Sequence, residues 1–270
     1  KQINALKRHP QIIVATPGRF SDHMKRRTIK VDAVQTVVLD EADRMLDMGF
    51  IHDVTRILDK IPHRRNLGLF SATISREVMD IAWVYQRDAE EITVRAVEEN
   101  KPDIVQYRVD TAAGDRVNVM LRILEKEHYE RVVVFCNTKG TVERATKYLQ
   151  MAGVEAECIH GDIPQTKRER VMQRFRDGKL RVFVATDVAA RGIDVDDVDA
   201  VFNYDVPDEN EYYIHRIGRT GRAKRSGTAY TFVSDYAALV RLDEIAKFTK
   251  NKITPVTVDA DGNLTVVEKG

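Results

Sequence analysis

The stretch Val37-Val38-Leu39-Asp40-Glu41-Ala42-Asp43 constrains the fold more than any other, because a short apolar, β-branched run ends abruptly in three carboxylates. Such a run, bounded by polar residues, reads as a buried parallel strand, and Ala42 to Phe50 has helical spacing. The carboxylates therefore fall at a strand's C-terminal edge. In an open α/β sheet that edge is where ligands bind, and acidic side chains there suit a hydrated divalent cation and a water that must lose a proton. Asp is also a good helix N-cap, so on this stretch alone Asp40 reads equally as the cap of the helix that follows.

A chain of 270 residues, 43% of them hydrophobic, is long enough for one large or two ordinary domains. No apolar run approaches the roughly 18 residues that cross a bilayer. No charged-then-apolar leader opens the sequence, so no membrane association and a cytoplasmic setting are expected. Cys136 and Cys158 lie in separate apolar runs without metal-ligand spacing and read as reduced core residues. With a formal net charge of +1, any nucleic-acid binding must come from local placement of basic residues.

In chain order, Gln11 to Ala15 reads as a buried strand that stops at the loop Thr16-Pro17-Gly18-Arg19. That loop offers N–H donors, a hydroxyl and a guanidinium, a set suited to phosphate, although an ordinary Pro-Gly turn reads the same way. Leu67 to Phe70 ends in Ser71-Ala72-Thr73, hydroxyls able to hydrogen-bond a neighbouring carboxylate, with Thr73 equally readable as a helix cap. A short strand is expected around Ile92 to Val94, and Glu98 to Asp103 reads as a linker. Beyond it, strands at 104–109, 131–136, 155–159, 180–185 and 200–204 alternate with helices, which implies βαβ crossovers and a mainly parallel sheet. The tail carries an Asp261-Gly262 turn between alternating residues, compatible with a small hairpin.

A second constellation is His215-Arg216-Ile217-Gly218-Arg219-Thr220-Gly221-Arg222. Three arginines three residues apart share a helix face, and the two glycines leave that face open to a large polyanion such as a triphosphate. A basic face without a ligand is the alternative.

With these segments in place, the chain resembles the DEAD-box family of ATP-dependent RNA helicases. The resemblance rests on TPGR at 16–19, VLDEADRMLDMGF at 38–50, SAT at 71–73, VVFCNT at 133–138, HGD at 160–162 with Gln165 and Arg168, ATDVAARGIDV at 185–195 and HRIGRTGR at 215–222. Seven such segments in one order leave chance little room. The resemblance implies two RecA-like three-layer α/β domains with mainly parallel sheets, nucleotide between them and single-stranded RNA lying across both. It implies ATP and Mg2+ as cofactors, with Asp40 holding the metal through water and Glu41 orienting and deprotonating the attacking water. Arg219 and Arg222 would reach the γ-phosphate, Gly192 and Asp194 would lie at the nucleotide with Asp194 on the ribose, and Asp43, Ser71, Thr73 and Arg216 would couple the domains. Arg216 is expected to bridge to the carboxylates of the acidic stretch at 40–43 rather than to phosphate. RNA contacts would come from Thr16, Gly18 and Arg19 in the first domain and Thr138, Gly161, Arg168 and Thr186 in the second, without base readout. Recognition of the 2′-hydroxyl would favour RNA over DNA.

The sequence departs from the family in what precedes TPGR: no G-x-x-x-x-G-K-S/T phosphate loop occurs in it, and the family's adenine-reading element and first RNA-contact segment are missing too. The expected organisation is the C-terminal part of a first RecA-like domain over 1–97, a linker over 98–103, a second RecA-like domain over 104–235, and a tail over 236–270. The first domain would be incomplete, lacking a central strand of its sheet, and unstable or rearranged by itself. The function expected is RNA-stimulated ATP hydrolysis coupled to local RNA unwinding, with the isolated chain inactive. The alternative is a non-catalytic RNA- or partner-binding module built on the second domain.

Overall fold

The protein is described by a computed structural model covering residues 1–61, 63–93, 103–190, 198–221 and 226–267, with Asp47 described in its backbone alone. It divides into two compact units, Lys1–Arg95 and Ala96–Gly270.

The first unit runs α1 (Gln2–Leu6), α2 (Pro17–Lys25), β1 (Thr36–Leu39), α3 (Ala42–Asp47), α4 (Ile51–Asp59), β2 (Asn66–Leu69) and α5 (Arg76–Tyr85). β1 and β2 pair in parallel, with Thr36 opposite Asn66 and Leu39 opposite Leu69. Leu39 and Ala42 pack with Val54 and Leu58 of α4 and with Val78 and Ile81 of α5 in one small core. Ser75 caps α5 by accepting from the Val78 N–H. Arg64 stitches the unit together, donating to the carbonyls of Leu58, Ile61 and Tyr85.

Two expectations for this unit fail. Gln11 to Ala15 forms no strand, and Val14 is 95% exposed. An extended segment becomes a strand only when a neighbour takes its N–H and C=O groups, and the described residues supply none. Ile92 is likewise outside any strand and exposed, while Val94 lies outside the described residues. The loop expected at 16–19 is the first turn of α2: Thr16 is extended, as a residue before proline tends to be, and Pro17 occupies the first helical position, where its missing N–H costs nothing.

The second unit is built on one large sheet. Its elements are β3 (Ile104–Asp110), α6 (Arg116–Lys126), β4 (Val132–Phe135), α7 (Lys139–Met151), β5 (Ala156–Ile159), α8 (Gln165–Arg176), β6 (Val182–Ala185), α9 (Asp187–Ala190), β7 (Ala200–Asn203), α10 (Asn210–Ile217), β8 (Gly227–Val233), α11 (Tyr236–Thr249), β9 (Thr254–Val258) and β10 (Leu264–Val266). The sheet order is β10-β9-β3-β8-β7-β4-β6-β5. Every pairing is parallel except β9 with β10.

β4, β6 and β7 are buried on both faces, which is why their sequences are continuous apolar runs rather than alternating ones. Val132 and Val134 face a core shared with Met120, Ile123 and Leu149 of α6 and α7. Val133 and Phe135 face the opposite core, with Phe175 of α8, Tyr213 of α10 and Ile245 of α11. Cys136 and Cys158 are free thiols, and burial pushes both up from the usual thiol range. Gly262, at the β9–β10 turn, has a φ of +82°, and a Cβ there would strike the Arg122 carbonyl, so glycine alone lets the turn seat on α6.

Candidate functional site

In the first unit the candidate groups gather where β1 and β2 end side by side. The parallel register puts Leu39 beside Leu69, so Asp40 and Phe70 leave the sheet together, and the Ala42 N–H donates to the Phe70 carbonyl at 3.0 Å. Asp43 is buried and saturated: Oδ2 accepts from the Thr73 N–H at 2.8 Å and the Thr73 hydroxyl at 2.9 Å, and Oδ1 accepts from the Arg44 N–H at 2.9 Å. Its own N–H donates to Ser71 Oγ at 3.2 Å, and that hydroxyl donates to the Thr73 carbonyl at 2.6 Å. Burial pushes the Asp43 carboxyl up, but the hydrogen bonds from Thr73, Arg44 and Ser71 outweigh it and hold the group below the usual carboxylate value.

The sign of that shift sets a pH dependence. A folded value below the unfolded value of about 4 means the stabilisation is complete above that pH and is lost as pH falls through the lower folded value. Asp43→Asn is therefore expected to destabilise the first unit at pH 7, and the gap from wild type should shrink below about pH 4. Urea unfolding at pH 7 and pH 3, followed through amide exchange of β1 and β2, checks this; a pH-independent gap contradicts it.

Asp40 and Glu41 are exposed at the same edge. Asp40 Oδ1 accepts from the Glu41 N–H at 3.0 Å, and Glu41 Oε2 pairs with Arg44 Nη1 at 3.1 Å. Glu41 has a φ of +52° and a ψ of 48°, a left-handed conformation that costs a non-glycine residue about 1–2 kcal/mol. Among the described residues no group of three or more His, Cys, Asp or Glu side chains could hold a metal ion. One exposed carboxylate at a strand end fits magnesium held through its own waters, the way that ion commonly binds beside phosphates.

In the second unit the C-terminal ends of four neighbouring strands form the edge. β7 is followed by Tyr204-Asp205, β4 by Cys136 and then Asn137-Thr138, β6 by Thr186-Asp187 and β5 by His160-Gly161. Arg216, 1% exposed, joins three of these ends. Its Nε and Nη2 grip Asp187 Oδ1 and Oδ2 at 2.7 and 2.6 Å, Nη2 also donates to Asn137 Oδ1 at 2.8 Å, and Nη1 donates to the Asp205 carbonyl at 2.8 Å. The guanidinium lies over the Phe135 ring, 5.4 Å from its centroid.

The remaining candidates are arrayed around this knot. Thr138 caps α7, accepting from the Thr141 N–H at 3.1 Å, and Thr186 Oγ1 accepts from the Ala189 N–H at 3.4 Å. Gly161 faces open space, and Arg168 donates from α8 to the Ala189 carbonyl of α9. Lys139 and Asp162, neighbours of Thr138 and Gly161, pair at 2.6 Å, which lowers the Asp162 carboxyl and raises the Lys139 ammonium. Arg219 follows α10, with its carbonyl accepting from the Val198 N–H at 3.2 Å.

A Cβ at Gly227 would overlap Thr220 Oγ1 and the Gly221 N–H. Gly227→Ala is thus expected to displace the segment that carries Arg219 and to cost about 1–3 kcal/mol. Urea unfolding of the chain reads it; an unchanged midpoint contradicts the close approach.

The family model described as DEAD/DEAH box helicase matches residues 1–81, and the one described as helicase conserved C-terminal domain matches 115–224. The DEAD-box ATP-dependent RNA helicase CshA of Geobacillus kaustophilus is 42% identical over 261 residues, covering 96% of this chain and 56% of the relative. CshA of Listeria monocytogenes is 44% identical over 256 residues, covering 95% of this chain and 49% of the relative. Among solved structures, S. cerevisiae Dbp5 bound to RNA and ADP BeF3 matches with a TM-score of 0.81 and 34% identity, over 92% of this chain and 66% of that one. The C-terminal domain of the DEAD-box protein Dbp5 matches at 34% identity and a TM-score of 0.55, with 58% of this chain covering 92% of that domain. The chain belongs to the DEAD-box helicase family. It spans about half the length of the curated relatives it matches.

For this DEAD-box chain the structure brings Asp43, Ser71 and Thr73 into direct contact, with Asp40 and Glu41 beside them. Thr16, Gly18 and Arg19 lie together at the start of α2, Arg19 within 3.5 Å of Asp22. The carboxylate that Arg216 grips is Asp187 of its own unit, which is not among the acidic residues expected for it. Gly192, Asp194 and Arg222 lie outside the described residues. Asn137, Asp187, Asp205 and Arg116, which carry no role in the sequence pattern, all belong to the network around the buried Arg216. Asn137 and Asp187 directly neighbour the singled-out Thr138 and Thr186, and a polar residue closing an apolar strand was the one available signal.

Proposed function

We propose that this chain carries part of an RNA-stimulated ATPase that locally separates or remodels RNA in a cytoplasmic setting, with RNA as its macromolecular partner. The observation that carries the reading is the seating of both motif sets at the C-terminal edges of parallel strands, where Asp43 is tied to Ser71 and Thr73 and where Thr138, Gly161 and Thr186 stand on adjacent strand ends. Asp40 would hold magnesium through water, and the ion would neutralise charge on the phosphates. Glu41 would orient the attacking water and take its proton, after leaving Arg44. Arg219 and Arg222 would stabilise the γ-phosphate as charge develops, and Gly192 and Asp194 would line the nucleotide. Asp43, Ser71, Thr73 and Arg216 would transmit the state of one unit to the other. Thr16, Gly18, Arg19, Thr138, Gly161, Arg168 and Thr186 would meet the RNA backbone through hydroxyl, guanidinium and N–H donors.

For the 270 residues taken alone, a second reading is favoured by the difference between the units. The second has a complete two-sided core, whereas the first has a two-stranded sheet with Val38 57% and Phe70 60% exposed. That asymmetry supports an RNA-binding module without turnover. Fluorescence anisotropy with single-stranded RNAs of different sequence tests what both readings share. Binding should be insensitive to sequence, and Arg168→Gln should weaken it uniformly and reduce the salt slope by about 1. Base-dependent affinity, or no effect of the substitution, would sink the assignment of Arg168 to phosphate.

A further inference from the structure

Among the described residues Asp205 accepts three hydrogen bonds, and none comes from a group given an RNA or phosphate role above. Its Oδ1 accepts from Arg116 Nη1 at 2.7 Å, its Oδ2 accepts from the Asn137 N–H at 3.0 Å, and its carbonyl accepts from Arg216. Arg116, at the start of α6, also donates to the Tyr204 carbonyl at 2.7 Å and lies 4.3 Å over the Tyr204 ring. Asn137 completes the loop, donating from Nδ2 to the Val206 carbonyl at 2.8 Å and to Asp208 at 3.3 Å while accepting from Arg216. The Arg116 and Asp205 side chains are 16% and 21% exposed, so the pair is largely withdrawn from solvent and held by a charge-assisted contact.

We propose that Asp205 and Arg116 are positioning residues for RNA binding: they clamp the Asn137-Thr138 turn from behind and, through Arg216, keep it in register with Thr186-Asp187. This rests on the RNA-binding reading above. Thr138 and Thr186 stand on neighbouring strands, β4 and β6, and two donors on separate turns match successive phosphates only if the turns hold a fixed spacing. Backbone hydrogen bonding fixes the strands as far as Cys136, whose N–H donates to the Ala185 carbonyl at 3.0 Å. Past those residues the turns are tied by side-chain contacts, and among the described residues Asp205 touches the Asn137 backbone, Arg116 and, through its carbonyl, Arg216.

Asp205→Asn keeps the shape and removes the charge, and its amide cannot accept from both Arg116 and the Asn137 N–H with equal geometry. Measurements on the 270-residue chain test the proposal. RNA affinity should fall about 3–30-fold. In a double-mutant cycle with Thr138→Val the two losses should be sub-additive, because both act on one contact. Amide exchange should quicken at Asn137 to Thr141 while Val182 to Ala185 keep their protection. Arg116→Lys, which keeps charge but loses the fork, should give a smaller loss of affinity than Arg116→Ala. Strictly additive losses, or exchange that quickens uniformly across the sheet, would mean that Asp205 merely stabilises the unit and would overturn the proposal. If wild-type chain binds no RNA while the exchange change stays confined to 137–141, the RNA reading fails and the clamp survives as a structural feature only.

Discussion

Arg216→Ala is expected to destabilise the second unit by about 3–5 kcal/mol, the range for removing one partner of a buried ion pair. The guanidinium is 1% exposed and the Asp187 side chain 15%, so no solvent replaces what is lost. Asp187 would keep its charge without its bidentate partner, and Asn137 Oδ1 and the Asp205 carbonyl would each lose a donor. The size of the loss comes mainly from these stranded groups, not from the net worth of the pair, and that gives a sharper corollary. Adding Asp187→Leu to Arg216→Met should recover part of the loss, because the stranded charge disappears with its partner. Urea unfolding, followed by amide exchange of Val132 to Phe135, gives both numbers. A loss below about 1 kcal/mol for Arg216→Ala would show that the network is far less buried than its geometry indicates.

Glu41→Gln carries the second large effect, on rate rather than stability. The test protein is a chimera in which an N-terminal helicase segment containing a G-x-x-x-x-G-K-S/T phosphate loop precedes Lys1. RNA-stimulated turnover should drop about 10²–10⁴-fold, the usual contribution of a general base, while RNA affinity changes little. Glutamine keeps the side chain's length and its contact with Arg44 but cannot take a proton. Equal loss of RNA binding and turnover would point to a structural role for Glu41 instead.

The parts of this structure legible in the sequence are those governed by local pattern. β4, β6 and β7 are continuous apolar runs because both faces are covered, and such runs stand out in any reading of the chain. Gln11 to Ala15 has the same look yet is no strand, since a strand is a property of two segments and the run carries no information about its neighbour. The cluster of Asp43, Ser71 and Thr73 was legible as two strand endings, though the contact spans 30 residues. The Arg216 network was hidden for the same reason. Its partners stand 11, 29 and 79 residues away, and Arg116 lies 89 residues from Asp205. Parallel strands bring such positions together through crossovers, and one sequence alone does not encode which distant acid meets which base.

The most direct test is RNA-stimulated ATP hydrolysis, measured side by side on the 270-residue chain and on the chimera. RNA binding is expected from both, turnover from the chimera alone, and dependence of that turnover on RNA. RNA-dependent hydrolysis by the 270-residue chain that vanishes in Glu41→Gln would contradict the need for a separate phosphate loop. A chimera that binds RNA and nucleotide yet never turns over would contradict the assignment of the hydrolytic groups to this chain.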